Sequence, residues 1–120
     1  MASEPIPPNR PAEAAEADLE AEVRAIEREQ AGRAERISRN LVGFPNLKVV
    51  LVSLPAKGAW EQHQTPGRIS VQTLTGHIRM RARGRSFDLP RGRLLALESN
   101  VPHDVEAVEA SVFLLTVARS

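Results

Sequence analysis

The chain has 120 residues, no cysteine and a formal net charge of +1, so a single domain is expected and disulfides and thiolate metal sites are excluded. No stretch has the apolar core of a signal peptide or the length of a membrane span, and the expectation is a cytoplasmic protein without a membrane partner. The charge is unevenly spread: residues 1–35 hold nine acids and four arginines, net −5, and residues 36–120 hold twelve basic and six acidic groups, net +6. An acidic N-terminal segment is thus expected to lie on a basic body, its own or a neighbour's, or to remain solvated.

Residues 1–11 are polar and proline-rich, and read as a disordered arm. Residues 12–32 are rich in Ala, Glu and Arg, with Gly32 as the first glycine, and predict an acidic helix. Acids crowd its start and arginines its end, as the helix dipole favours. Leu19, Val23, Ile26 and Gln30 form a thin apolar stripe. Such a helix needs a surface to dock on, and a dimer partner is one candidate.

From residue 33 onward the texture is that of strands and turns, and residues 33–120 read as the body of the domain. Residues 36–42 predict a first strand, and Phe44-Pro45-Asn46 a turn. Residues 47–54 are β-branched and apolar, as in a buried strand. Residues 55–60 read as a loop. Residues 68–75 alternate, with Ile69, Val71 and Thr73 on one face. Residues 77–83 alternate too: Ile78, Met80 and Ala82 on one side, His77, Arg79, Arg81 and Arg83 on the other. Gly84 turns the chain, Phe87 and Leu89 return to the core, and Pro90-Arg91-Gly92 turns again. Residues 94–97, 101–108 and 111–118 supply further strands. Many short strands punctuated by Gly and Pro predict a sandwich or barrel.

Two stretches carry a more specific pattern. The first is Gly58-Ala-Trp-Glu-Gln-His63-Gln-Thr65-Pro-Gly67-Arg-Ile69, running on to Gly76; the second is Gly92-Arg-Leu-Leu-Ala-Leu97-Glu-Ser-Asn100-Val-Pro102-His103. In order and spacing they resemble the two motifs of the cupins, small double-stranded β-helix proteins. The resemblance covers residues 36–118 and implies a mainly β, jelly-roll barrel preceded by one α-helix. It also implies a divalent metal held by three histidines and one glutamate. Here His63 matches the first histidine and His103 the last. Thr65 stands in place of the second histidine and Ile69 in place of the glutamate. Asn100 replaces a turn glycine, which its tolerance of a left-handed backbone permits.

Two imidazoles are few for a metal, which proteins usually hold with three or four ligands. The expected cofactor is therefore one divalent ion (Zn, Mn, Fe or Ni) on His63 and His103, or none. His77, beside arginines on the outer face, reads as a surface histidine. Glu61, Glu98 and Asp104 read as rim charges, with Asp104 opposite in parity to His103. A metal-free reading uses the same residues: an apolar interior with His63, Thr65, Ile69 and His103 near its mouth and Trp60 beside it resembles a small-molecule pocket. No nucleophile is evident, so catalytic residues are not assigned. The arginines from Arg79 to Arg93 suggest a solvated face or a dock for the acidic helix; with 3% aromatic residues and no tyrosine, nucleic-acid binding is not expected. The expected protein is a homodimeric barrel that binds a small molecule. The alternatives are a metal-dependent oxygenase, isomerase or decarboxylase acting on a small oxygenated or carboxylate substrate, and a structural dimeric module built on the helix.

Overall fold

The computed structural model describes residues 13–119; the arm expected over residues 1–11 lies outside them. One helix, α1 (Leu19–Gln30), precedes nine strands: β1 (Ile37–Phe44), β2 (Leu47–Leu54), β3 (Ala59–His63), β4 (Arg68–Thr75), β5 (His77–Ala82), β6 (Arg85–Pro90), β7 (Leu94–Leu97), β8 (His103–Ala107) and β9 (Ser111–Ala118). They form two antiparallel sheets, of order β1-β2-β9-β4-β7 and β3-β8-β5-β6. The fold is mainly β, a two-sheet jelly-roll barrel with one added helix, as the sequence predicts.

Alternation places the core. Val52, Leu54, Ile69, Val71 and Phe113 of the larger sheet meet Ile78, Met80, Leu89, Val105 and Ala107 of the smaller one. Thr73 shares the inward face of β4 with Ile69 and Val71 and is fully buried. Its hydroxyl donates to the Leu89 carbonyl at 2.8 Å, which removes the cost of an unpaired polar group and ties β4 to β6. Between β5 and β6, Arg83 and Gly84 both have positive φ (52° and 75°), as a two-residue type I′ hairpin requires.

The helix is shorter than its composition suggests. Asp18 caps it, its carboxylate accepting from the Ala21 N–H at 3.2 Å, so Glu13, Glu16 and their neighbours precede the helix rather than open it. The apolar stripe docks on the outer face of the chain's own larger sheet: Ile26 is fully buried against Leu51 and Val112, with Val23, Ile37, Leu41, Leu74 and Leu114 around them. This second contact explains why β2 is apolar on successive residues where it runs under the helix. Leu51 faces the helix while Val52 faces the barrel.

Charge guides the docking, but not onto the arginines of the β5–β6 hairpin. Arg39 of β1 donates to Glu22 at 3.0 Å and to Glu29 at 3.1 Å. Arg79 and Arg81 instead pair within their own sheet, with Asp88 and with Asp104 and Glu106 respectively. The expected dock of the helix on that hairpin is thus corrected. Arg79 and Arg81 pair with acids on neighbouring strands, and the helix follows its apolar stripe. No helix among the described residues is long and apolar enough to cross a membrane.

Removing the buried Ile26 side chain in Ile26→Ala should lower stability by about 2–4 kcal/mol, read as a lower urea midpoint at unchanged slope. An unchanged midpoint would show that the helix does not contribute to the core. Gly76 has φ +82°, and a Cβ there would run into the Ala110 carbonyl and Ser111. Gly76→Ala is therefore expected to cost at least about 1–3 kcal/mol, whereas Gly84→Ala, with open space around it, should cost less; calorimetry of the two variants side by side checks the order.

Candidate functional site

The site is set by one irregularity in β3. Ala59 lies opposite Glu106 and Trp60 opposite Val105, but His63, three residues on, lies opposite His103, only two residues back along β8. A bulge between Trp60 and His63 absorbs the extra residue. Residues three apart in a regular strand point to opposite faces; the bulge returns Trp60 and His63 to the same one. That face is the inner one, because Val105, the cross-strand neighbour of Trp60, belongs to the barrel core. The loop expected over residues 55–60 is corrected accordingly: it ends at Gly58, and Ala59 and Trp60 are strand residues paired to β8.

Three rings come together there. Trp60 and His63 stack with centroids 4.6 Å apart and planes inclined by 20°. His63 and His103 meet edge to face at 4.2 Å and 65°. His63 Nδ1 lies 2.9 Å from the Glu61 carbonyl, and His103 Nδ1 lies 2.9 Å from the Val101 carbonyl. A carbonyl only accepts, so in both neutral rings Nδ1 carries the proton and donates, and Nε2 keeps its lone pair. His103 is 4% exposed. Among the described residues the side-chain polar atom both sealed from solvent and unpartnered is Gln30 Oε1.

Thr65 lies past the end of β3, where its carbonyl accepts from the Asn100 N–H at 2.8 Å. That bond joins the loop after His63 to the turn before His103. Asn100 has φ 60°, the left-handed conformation expected of it. Ile69 is buried in the barrel core opposite Leu97. Neither residue enters the ring stack. Asp104 points outward to Arg81, Glu98 pairs with Arg68 at 2.6 Å, and the His77 Nε2–H donates to Asp88 at 2.9 Å on the outer surface. All three are rim or surface groups, as their parity predicts.

Arg36 was not a candidate on sequence. Its guanidinium lies 4.1 Å from the centroid of the Trp60 ring, a cation–π distance. A lone arginine before a strand carries no local signal of this; the contact joins residues distant in sequence.

Two imidazole nitrogens are a partial donor set. Among the described residues no group of three or more His, Cys, Asp or Glu side chains is placed to hold a metal. With Thr65 and Ile69 where two further ligands would stand, the residues present do not fit a metal held by the four-ligand set that the cupin pattern implies.

Comparison with solved structures fits this picture. A conserved protein of unknown function from Streptococcus pyogenes superposes with a TM-score of 0.69 at 26% identity, over 73% of this chain and 77% of that one. A cupin superfamily protein from Desulfitobacterium hafniense gives 0.70 at 14% identity, over 72% and 79%. A cupin 2 conserved barrel domain protein from Leptotrichia buccalis gives 0.69 at 30% identity, over 72% of this chain and 42% of that one. No protein-family model and no curated protein matches the sequence. The chain is a small cupin-fold domain with a helix added before the barrel.

Burial pushes the His103 pKa below its ordinary value, and the neighbouring His63 adds to that, while the Val101 carbonyl and Asp104 oppose it. In the unfolded chain the ring takes a proton near its usual pKa of 6.5; in the folded protein it resists. Stability is thus full above that pH, falls as pH drops through it, and levels off below the folded value. Melting temperature in chelator-treated buffer should fall from pH 7.5 to 5.5, and His103→Gln should flatten the fall. An equal fall in the variant would assign the effect to other groups.

Proposed function

We propose that the protein binds a small molecule at the mouth of the barrel, on the ring cluster of Trp60, His63 and His103. The observation that carries this reading is the meeting of His63 and His103, each with Nδ1 on a backbone carbonyl and so Nε2 turned away from it. Backbone carbonyls face both Nδ1 atoms, and among the described residues neither ring's Nε2 has a hydrogen-bond partner. A purely structural histidine pair would be expected to satisfy both ring nitrogens inside the protein. Val105, the cross-strand partner of Trp60, brings the barrel core up to the rings, and ligand sites commonly join apolar side chains to a few polar groups that fix orientation.

A second reading has one observation in its favour. The same Nε2 lone pairs suit a divalent ion, with water or ligand completing its shell. Two protein ligands imply weak binding, and a metal-dependent oxygenase, isomerase or decarboxylase would rest on this weaker arrangement. The third expectation, a module dimerising through its helix, is weakened, because Ile26 and Val23 of the stripe pack on the chain's own barrel, with Leu19 left exposed.

Metal analysis of protein purified without a histidine tag, followed by a thermal-shift screen of small organic acids and sugars, tests the proposal. Well under one equivalent of metal is expected, together with ligand-induced rises in melting temperature that disappear in the His63→Ala, His103→Ala double variant while its circular dichroism stays native. Near-stoichiometric metal that is lost in the variant would favour the second reading. Ligand shifts that survive in the folded variant would remove the histidines from the site.

A further inference from the structure

We infer that the groove between α1 and the end of β4, on the outside of the barrel, binds a medium-chain aliphatic carboxylate. This site is separate from the ring cluster and stands whether or not the barrel mouth holds a ligand. One of its walls is α1, which lies outside the cupin pattern.

The groove is built by a slip in register. Thr73 of β4 lies opposite Phe113 of β9, but Thr75 lies opposite Val112, so Leu74 is an extra residue. Cross-strand neighbours point to the same side, and Val112 faces the helix. Leu74 and Thr75 are therefore both turned to the helix side, where a regular strand would present only one of them. Val23 and Leu74 pack at the margin of the Ile26 cluster, and beyond them a cavity of about 320 Å³ stays open. Leu19, Val23 and Leu74 give it an aliphatic floor, and Leu19 is 37% exposed. Residues 13–18 are exposed, and none of them lines the cavity.

The rim supplies the charge. Arg24 lines the cavity from the helix and Arg91 from the turn between β6 and β7. Among the described residues neither has a carboxylate within salt-bridge distance, unlike Arg39, Arg68, Arg79 and Arg81. Glu20 is the one acid in the lining, so two guanidiniums against one carboxylate leave a positive charge over an aliphatic floor.

The ligand class follows from this lining. A guanidinium matches a carboxylate with two parallel hydrogen bonds, and the Thr75 side chain brings a hydroxyl to the same cavity. No aromatic side chain lines it, so a flat ring finds no stacking partner, whereas an alkyl chain finds leucine and valine. The volume holds about ten non-hydrogen atoms at roughly 30 Å³ each, the size of octanoate. A bare inorganic anion would leave the floor uncovered, and an organic cation would meet the arginines.

The test titrates octanoate and its neutral counterpart octanamide into the full chain. The methyl NMR signals of Leu19 and Leu74 report the groove, and the indole N–H of the single tryptophan reports the barrel mouth. Octanoate is expected to shift the two leucines saturably, to leave the indole signal in place and to bind at least about fivefold more tightly than the amide. Butanoate is expected to bind at least about tenfold more weakly than octanoate, because it covers less apolar surface. Combining Arg24→Gln with Arg91→Gln should bring octanoate down to the level of the amide; both residues are exposed, so the double variant should fold natively. Leu19→Ser should weaken acid and amide alike. Equal affinity for acid and amide, an acid preference that survives in the double arginine variant, or shifts confined to the indole signal would overturn the proposal. So would a groove already filled in the free protein: contacts from the Ile6 methyl groups to Leu74 would assign it to the chain's own first residues, and Leu19 shifts that follow protein concentration would assign it to a second copy.

Discussion

Strand β9 lies between β2 and β4, and its alternating side chains serve two cores at once. Phe113, fully buried, faces the barrel, where Val52 and Ile78 surround it; Val112 and Leu114 face the other way and meet the helix. Every other contact of the larger sheet builds on this division. A shift of β9 by one residue would exchange the two sets, turn Phe113 toward the helix and open the barrel. The full eight-residue registers with β2 hold it in place. They also explain why the helix can be short: it closes a face that is already apolar, and buries Ile26 completely in doing so. An exposed ion pair contributes little beside that burial, so Arg39 with Glu22 and Glu29 sets the angle of the helix more than its affinity.

In the smaller sheet the regular alternation is broken once, and the break makes the site. Were β3 regular, His63 would point to solvent when Trp60 pointed inward, or the reverse. The bulge lets both face in, and β8 then brings His103 against His63. The hydrogen bond from Asn100 to Thr65 fastens the two loops that follow and precede these histidines. Thr65 therefore holds the mouth through its backbone, in the place where the cupin pattern has a ligating side chain. The proposed site thus lies where the cupin pattern places its metal ligands. Two imidazoles, an indole and a guanidinium come together there.

Much of the fold was legible in the sequence because strand alternation is local. Ile69, Val71 and Thr73, then Ile78, Met80 and Ala82, sit on the inner faces where a period of two puts them. The turns at Gly84, Gly92 and Asn100 follow from residues that tolerate a positive φ. His63 and His103 stood out because their order among flanking glycines and prolines resembles a known pattern, although the step from Gly58 to His63 is one residue short of it. The β3 strand was less legible: Ala-Trp-Glu-Gln-His does not alternate, and a bulge is what makes such a sequence pair.

By itself, then, the sequence determined the class of fold, the inward residues of most strands, the helix with its apolar stripe and the shortage of metal ligands. These depend on residue type and on near neighbours along the chain. Only the tertiary structure decided where the helix docks, which arginines are neutralised, that Trp60 faces inward, and that Arg36 lies over it. Each of these is a contact between segments that the sheets bring together, across 24 residues between Arg36 and Trp60 and 40 between His63 and His103. Pairing register and a one-residue bulge set such contacts, and neither leaves a periodic mark in the sequence.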